Sequence, residues 1–284
     1  MESKTYRHSE YISFYVKDPK LRHIHKACVK DRVLHRAVFR ILYPIFDRSF
    51  IFDSYSCRVG KGTHKAVNRL NDFARKVSKN NMKPCFILKC DVKKYFDSID
   101  QDILIDLIKG KIKEKNAIWL IKEIIKSFSS GLPLGNITSQ LFANIYLNEL
   151  DKFIKYKLRI RYYIRYCDDF IMLDGNRKYL EELISKIGGF IEERLKLSLH
   201  QDKIKISRHY QGTYFLGYVS FPHHRVLRSK TRKRMFRKIN QRIEELKQSK
   251  ISEESLNQTV QSYLGVLSHC DSYKLRKQLF EYVN

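Results

Sequence analysis

The sequence lacks most of the features that mark secreted, zinc-binding or membrane-spanning proteins. Its six cysteines include no C-x-x-C pair and no histidines at matching spacing, which disfavours a zinc site or a disulfide framework and favours a reducing compartment. No stretch approaches the roughly 18 consecutive apolar residues of a membrane span. The first residues, MESKTYRHSEY, lack the apolar core of a signal peptide. We therefore expect a cytoplasmic protein with no membrane partner.

Acidic residues are also scarce relative to basic ones. Lys and Arg total 56 against 30 Asp and Glu, and the resulting net charge of +26 is spread along the whole chain. Such a charge favours a polyanionic partner, and nucleic acid is the expected one. With 284 residues, of which 43% are hydrophobic and 13% aromatic, the chain is long enough to form a sizeable core.

With only 11 glycines and five prolines, and with no repeat or low-complexity tract, the chain predicts continuous structure in which helices and strands alternate. Apolar spacing predicts helices within residues 20–50 and in QDILIDLIKGKI, SQLFANIYLNELDKFIKYKL and EELISKIGGFIEERL. Thr138 or Ser139 is the expected cap of the third of these helices. Strands are expected at CFILKCDV, LSLHQDKIKIS and YFLGYVSF. A helical tail is expected from Ser229 onward.

Three carboxylates stand out in apolar surroundings. Asp168 and Asp169 lie between two runs of β-branched and aromatic residues in YIRYCDDFIML, and Asp91 ends the expected strand CFILKCDV. Carboxylates that converge from separate strands can hold two divalent cations about 4 Å apart for a displacement at phosphorus. The alternative interpretation is that these residues are unrelated surface or capping acids.

The order of several motifs resembles that of a reverse transcriptase. CDVKKYFDSI is similar to the palm motif with the first catalytic aspartate, YCDD to the Y-x-D-D signature, LSLHQDKIKI to the following lysine-containing strand, FLGYVSF to the primer-gripping hairpin and SYSCRVGKGTHKA to a fingers motif. The resemblance covers roughly residues 30–222. It implies an α+β right-hand polymerase fold, with fingers and a palm made of an antiparallel sheet packed on helices at residues 1–222. A small, basic, helical thumb would follow at residues 223–284.

One motif narrows the resemblance. Where most bacterial reverse transcriptases carry Q-G-x-x-x-S-P, this chain has LGNITSQ, with Leu134 in place of Gln and Gln140 in place of Pro. LPLGNITSQLFANIYLNELD resembles the reverse transcriptases of diversity-generating retroelements. That family would copy a template-repeat RNA into adenine-mutagenised cDNA with a small, basic accessory variability protein. Alternatives are a retron, group II intron-like or phage-defence enzyme, the first two disfavoured by the SQ ending, or a catalytically silent RNA-binding scaffold.

The resemblance also implies roles for individual residues at the site. Asp91, Asp168 and Asp169 would bind two Mg²⁺ ions, with a backbone carbonyl from Val92, and Lys203 would protonate the pyrophosphate leaving group. The residues expected around the incoming dNTP and the templating base are Arg58, Lys61, Phe96, Leu134, Gly135 and Gln140. Phe96 would lie under the sugar and exclude a 2'-hydroxyl; its alternative role is an ordinary core aromatic.

A basic helix follows the expected palm. It would track the backbone of the nucleic-acid duplex through phosphate contacts, and its other side carries Phe236, Ile239, Ile243 and Leu246. The residues expected to make these contacts are Lys230, Lys233, Arg234, Arg237 and Lys238. A merely solvated helix face is the alternative. The ten histidines, including His23 and His25, form no ligand set and have no assigned role.

Overall fold

A computed structural model describes residues 4–17 and 20–283 of the chain. The chain divides into two compact units, each assembled from separate stretches. The first unit comprises Met1–Gly62, Leu88–Met172 and Arg177–Ile206, and the second comprises Thr63–Ile87, Leu173–Asn176 and Ser207–Asn284. The predicted boundary at residue 223 does not coincide with this division, because residues 207–222 group with the C-terminal helices. The assignment of fingers, palm and thumb stays a prediction.

Helices and strands alternate along the chain, as the apolar spacing predicts. The helices are α1 (Val29–Asp47), α2 (Thr63–Val77), α3 (Tyr95–Ser98), α4 (Gln101–Lys109), α5 (Lys115–Lys126), α6 (Ile137–Lys152), α7 (Arg177–Leu195), α8 (Ser229–Lys247), α9 (Glu253–Leu267) and α10 (Tyr273–Val283). The strands are β1 (Ile12–Lys17), β2 (Leu21–Lys26), β3 (Phe86–Asp91), β4 (Tyr163–Tyr166), β5 (Asp169–Asp174), β6 (Lys205–Arg208), β7 (Thr213–Phe215), β8 (Tyr218–Ser220) and β9 (Arg225–Leu227).

The strands of the described residues form three sheets. β1 and β2 pair as an antiparallel hairpin, β4, β5, β3 and β6 form a four-stranded sheet in that order, and β7, β8 and β9 form a third sheet. β4 and β5 pair antiparallel, with Tyr166 opposite Asp169. The pair Asp168 and Asp169 therefore lies at the tip of a hairpin whose strands belong to the larger sheet.

Helix α6 lies at the centre of the first unit. Its middle part is apolar or small and polar around the whole circumference, and such a segment is stable only when it is buried on every side. Its residues from Leu141 to Leu147 are all buried, and it packs against α1, α4 and α7. The segments that precede and follow α6 in the chain are therefore attached to a rigid helix.

In the second unit, α8 packs on α9, α9 packs on α10, and α2 packs on β8. Met235 and Ile239 are the buried residues of α8, so Met235 adds to the apolar side predicted from the sequence. β7 and β8 are joined by the two residues Leu216 and Gly217, both with positive φ (48° and 90°). This backbone matches the favoured two-residue hairpin turn, and it confirms the hairpin expected at YFLGYVSF.

Three local predictions are wrong. Of the strand expected at LSLHQDKIKIS, only the end belongs to a strand, Lys205–Arg208, because Gln201–Lys203 form a 3₁₀ turn. Residues 21–26 form a strand, so the helix predicted within residues 20–50 begins only at Val29. Neither Thr138 nor Ser139 caps α6, because the helix begins earlier, after Asn136, and Thr138 contacts His35 instead, with 3.2 Å between its hydroxyl and Nδ1. Within residues 4–17 and 20–283, no helix has the length and apolar character needed to cross a membrane.

Candidate active site

The turn that carries the two adjacent aspartates has an unusual backbone. Cys167 and Asp168 connect β4 to β5, and Cys167 adopts a left-handed conformation with φ of +56°. A side chain other than glycine in this region costs free energy and persists only where the surroundings fix it. The strands on both sides supply that rigidity, because Ile164 and Phe170 are fully buried.

A buried ion pair supports this turn from inside. The guanidinium of Arg165, with no exposed surface, donates to both carboxylate oxygens of Asp151 in α6 at 2.8 and 2.7 Å. It also donates to the carbonyl of Cys167 at 3.0 Å, to Asn144 at 3.1 Å and to Ser54 at 3.1 Å. Tyr163 donates to the same aspartate at 2.7 Å. Arg165 thus ties the turn to the central helix.

The predicted site residues do not include Arg165. The available signal is an arginine inside the otherwise apolar strand YIRY, since a buried arginine requires a paired acid and further acceptors. Its partner lies 14 residues earlier on another element, so the sequence alone does not identify it.

Asp91 is held beside the turn by backbone hydrogen bonds. The N–H of Val92 donates to the carbonyl of Asp168 at 3.2 Å, and the N–H of His200 donates to the carbonyl of Asp91 at 2.8 Å. Along β3, Lys89 and Asp91 are half-buried whereas Leu88 and Cys90 are buried. This is the alternation that the sequence predicts for a strand with its charged residues on one face.

The three carboxylates influence one another. Burial raises the pKa of Asp168, and the charge of Asp91 raises it further. Burial also raises the pKa of Asp169; Lys89 opposes this, while Asp91 and Asp168 add to it. Like charges held together in partly apolar surroundings resist ionisation unless a cation joins them. The structure therefore brings together the three acids that the sequence singled out.

Two lysines supply positive charge at this cluster. Nζ of Lys203, on the short 3₁₀ turn Gln201–Lys203, lies 2.5 Å from Oδ1 of Asp91, and Nζ of Lys89 lies 2.7 Å from Oδ2 of Asp169. Lys203 was predicted to belong to the site, and Lys89 was not. Lys89 is recognisable only from its place two residues before Asp91 on the same strand face.

The donor set fits divalent magnesium. Carboxylate oxygens are the ligands that this hard cation prefers, and Oδ1 of Asp169 is buried without a hydrogen-bond partner among the described residues. A buried, unpartnered carboxylate oxygen is costly and calls for a cation or water. Within residues 4–17 and 20–283, no group of three or more acidic, histidine or cysteine side chains has a geometry that could hold a metal ion. Asp91 is paired with Lys203 and Asp169 with Lys89 instead.

Phe96 lies on the short helix α3, five residues after Asp91. Tyr95 is buried and donates to the carbonyl of Ala143 at 2.5 Å, whereas Phe96 is half-buried. The carbonyl of Phe96 accepts a hydrogen bond from the N–H of Leu132 at 2.8 Å. Gly131 has φ of +65°, and a Cβ at this position would collide with that carbonyl. Of the two adjacent aromatics, Phe96 is the one with exposed surface.

The segment LGNITSQ is hydrogen-bonded to the end of β2. The carbonyl of Leu134 accepts from the N–H of His25 at 2.8 Å, and the side chain of Asn136 bonds the carbonyl of His25 at 2.9 Å and the N–H of Ala27 at 3.3 Å. Gly135 has φ of +116°, and a Cβ there would lie 2.8 Å from the side chain of Ile24. Gln140 is exposed on the first turn of α6.

Arg58 and Lys61 bind the segment of residues 47–54. The guanidinium of Arg58, whose side chain is 7% exposed, pairs with Asp47 at 2.6 Å and donates to the carbonyl of Ile51 at 2.7 Å. Nζ of Lys61 donates to the carbonyl of Phe52 at 2.7 Å and lies over its ring. The structure gives both cations a role in holding this loop, and their contact with a triphosphate stays a prediction.

The basic residues predicted on the C-terminal helix lie on α8 in the second unit. The exposed members of the set are Lys230, Lys233 and Arg237, and the half-buried ones are Arg234 and Lys238. They lie on the sides of the helix that Met235 and Ile239 leave outside the core.

The chain matches the family described as reverse transcriptase (RNA-dependent DNA polymerase) over residues 16–220. The match covers well over half of the 284 residues. The chain therefore belongs to the reverse transcriptase family.

Curated relatives are distant and longer. Protein YkfC of Escherichia coli (strain K12) is 25% identical over 256 residues, which cover 75% of this chain and 65% of the relative. Group II intron-encoded protein LtrA of Lactococcus lactis subsp. cremoris is 26% identical over 274 residues, covering 70% of this chain and 44% of its own length. The chain thus spans less than two thirds of either relative.

Solved structures with a similar fold include yeast telomerases. Telomerase from Candida tropicalis in complex with a TWJ fragment of telomeric RNA aligns with a TM-score of 0.61 at 15% identity, covering 98% of this chain and 57% of that one. Apo telomerase from the same species aligns with a TM-score of 0.58 at 14% identity, covering 76% and 48%. This likeness confirms the predicted α+β right-hand polymerase fold.

Proposed function

We propose that the chain is an RNA-directed DNA polymerase that joins the 3'-hydroxyl of a primer to the α-phosphorus of a dNTP on an RNA template. The observation that carries the proposal is the convergence of Asp91 with Asp168 and Asp169: burial raises the pKa of Asp168 and of Asp169, and the charge of Asp91 raises both further. A silent RNA-binding scaffold has no use for three carboxylates at this cost in solvation.

In this proposal the carboxylates of Asp91, Asp168 and Asp169, together with the carbonyl of Val92, hold two magnesium ions. Magnesium held by these residues would supply two effects, a lower pKa for an attacking hydroxyl and neutralisation of charge at phosphorus. The buried Oδ1 of Asp169, which has no hydrogen-bond partner among the described residues, supports this role. Lys203, whose Nζ lies 2.5 Å from Asp91, would donate a proton to the leaving pyrophosphate.

The nucleotide would lie between the magnesium ligands, helix α3 and the segment from Leu134 to Gln140. The ring of Phe96 would form the floor under the sugar, and Leu134, Gly135 and Gln140 would border the nascent base pair. The hydrogen bonds from the loop at Leu132 to Phe96, and from His25 to Leu134, support a shared rigid pocket. The basic side of α8 would bind duplex phosphates without sequence preference.

Primer extension tests the proposed activity. The purified chain, a DNA primer annealed to an RNA template, four dNTPs and Mg²⁺ should give cDNA that ends at the template's 5' end. Replacing Mg²⁺ with a chelator should abolish the product. A product whose length ignores the template, or no product with any primer, would contradict the proposal.

The type of genetic element is a narrower proposal. The segment LPLGNITSQ supports a diversity-generating retroelement, which would copy a template-repeat RNA with errors at adenines. The relationship to a group II intron-encoded protein supports the intron-like alternative. Sequencing the cDNA distinguishes the two: an excess of errors at template adenines over the other three bases supports the first type, and equal error frequencies support the second.

A retroelement enzyme of this kind would work with a small, basic accessory variability protein. Because the chain has a net charge of +26, it should bind most RNAs through phosphate contacts that weaken steeply with salt. Selection of one RNA start site therefore needs a second component. The proposal fails if the chain alone, at physiological salt, makes template-repeat cDNA with the same yield and start site as the mixture.

A further inference from the structure

A row of aromatic rings runs along one face of the β1–β2 hairpin and continues to a phenylalanine that follows α5. We call Tyr15, His23, His25 and Phe128 the aromatic row. Tyr15 and His23 are cross-strand partners whose rings stack at 4.5 Å with 9° between their planes. The centroids of His23 and His25 are 4.2 Å apart, and those of His25 and Phe128 are 4.8 Å apart.

The outer end of this row does not belong to a core. Tyr15 is 66% exposed and His23 is exposed, although they lie in a regular hairpin. A two-stranded hairpin has no interior of its own in which to bury such rings. The ring faces that are not stacked on another ring are therefore flat apolar surfaces exposed to solvent.

The inner end of the row joins the candidate active site. The N–H and carbonyl of His25 bond Leu134 and Asn136 at 2.8 and 2.9 Å, in the segment proposed to border the nascent base pair. Burial lowers the pKa of His25, and His23 lowers it further, against an opposing effect of Asp97. The ring of His25 is therefore neutral at neutral pH and suited to stacking.

Lys17 lies on the same face of the hairpin as the aromatic row, Lys20 lies in the turn beside it, and Arg22 and Lys26 alternate onto the opposite face. Lys17, Lys20, Arg22 and Lys26 are all exposed on the hairpin. Cationic groups beside stacked rings match the chemistry of a single nucleic-acid strand, which offers both phosphates and the flat faces of unpaired bases. A duplex keeps its base faces stacked internally, and an added protein strand would use the backbone edge of the hairpin and leave the ring faces unused.

We propose that the aromatic row is a stacking site for unpaired nucleotides of an RNA strand. The proposal deepens the proposed polymerase function, since it places the single-stranded part of the template on the hairpin and leads it to the loop at Leu134. In this arrangement one unpaired base stacks on the open face of Tyr15, and Lys17 and Lys20 bind its neighbouring phosphates.

The test compares Tyr15→Ala with two other variants of the full chain. Tyr15→Phe keeps the ring, and Tyr156→Ala removes a tyrosine of matched exposure, 68% against 66%, from another part of the first unit. The ligands are a labelled RNA of about 12 nucleotides without secondary structure and the same sequence as a duplex. A 2-aminopurine base in the single strand reports stacking directly through quenching of its fluorescence.

Tyr15→Ala should weaken binding of the single strand about tenfold, the loss expected for one stacked base. It should also reduce the 2-aminopurine quenching and leave duplex binding unchanged. Tyr15→Phe and Tyr156→Ala should bind both ligands like the unmodified chain. Unchanged single-strand affinity, an equal loss for the duplex, or the same loss with Tyr156→Ala would each overturn the proposal.

Failure of this inference is distinguishable from failure of the proposed function. Primer extension on an RNA template that has no unpaired nucleotides beyond the next templating base does not require the stacking site, so Tyr15→Ala should extend this substrate normally. If the unmodified chain extends it while Tyr15→Ala binds single strands normally, the inference fails and the function stands. If stacking is observed but no extension occurs, the polymerase proposal fails.

Discussion

Arg165 and Asp151 form a fully buried ion pair, in which the guanidinium donates to both carboxylate oxygens at 2.8 and 2.7 Å. The same guanidinium donates to the carbonyl of Cys167, whose left-handed conformation places Asp168 at the hairpin tip. The pair therefore links the central helix α6 to the strained turn. Its loss should affect stability and catalysis together.

Asp151→Asn should destabilise the protein by about 3–5 kcal/mol, because it leaves a buried guanidinium without a compensating charge. Urea-induced unfolding measures this free energy. The matched control is Glu149→Gln, which removes a partner of the partly exposed pair with Lys152 on the same helix and should cost less than about 1 kcal/mol. Equal small losses for both variants would contradict a structural role for the buried pair.

The patterns that were predictable from sequence are those set by local chemistry. The strand at CFILKCDV, the helix from Ser229 and the hairpin at YFLGYVSF follow from apolar spacing and turn residues, and the structure has each of them. The β1–β2 hairpin was missed, because alternating charged and apolar residues in LRHIHK fit helical spacing as well as a strand. Pairing with β1, which is a contact outside that segment, decides between them.

Within the site, the carboxylates were predictable and their partners were not. Asp91, Asp168 and Asp169 are conspicuous as acids in apolar surroundings. Lys89 and Arg165 become significant only once the fold places them against acids 80 and 14 residues away. Asn136 was not predicted to have a role, and its side chain bonds the chain at His25 and Ala27.

Stability should fall as the pH falls from about 6.5 towards 4. Burial lowers the pKa of both His35 and His209 from 6.5 to about 4, the former with a contribution from His8. Between these values the unfolded chain binds more protons than the folded one, so acid favours unfolding. Urea unfolding over this pH range measures the effect. His209→Gln should reduce the slope and exposed His223→Gln should not; identical slopes for all three proteins would contradict the prediction.

Phe96→Ala should admit ribonucleotides. If its ring is the floor under the sugar, removing it relieves the clash with a 2'-hydroxyl, at some cost in rate from lost packing. Single-turnover incorporation of matched dNTP and rNTP gives the preference. Phe153→Ala, at another half-buried phenylalanine, controls for general loosening. A preference for dNTP that is unchanged by Phe96→Ala would return this residue to an ordinary packing role.

Leu134→Gln and Gln140→Pro should reduce errors at template adenines. The side chain of Leu134 offers no hydrogen bond to a base, and the N–H of Gln140 makes a long bond of 3.4 Å to the carbonyl of Asn136, so both residues would weaken geometric checking of the nascent base pair. Adenine pairs through the fewest base–base hydrogen bonds. A loss of about 1.4 kcal/mol of discrimination therefore raises errors there first, about tenfold. Sequencing cDNA from one RNA measures the frequency; an unchanged adenine error rate with continued synthesis places infidelity elsewhere.

The most direct test of the metal-binding carboxylate cluster is single-turnover primer extension by Asp168→Asn, measured beside RNA binding in the same buffer. This change removes a charged ligand while keeping the shape of the side chain, and Asp106→Asn is the control at an exposed acid on α4. Incorporation by Asp168→Asn should fall by about 10³-fold or more, while its RNA affinity, which depends on the basic surface, stays within about twofold. Incorporation at the rate of the Asp106→Asn control would contradict the assignment of Asp91, Asp168 and Asp169 as the catalytic centre.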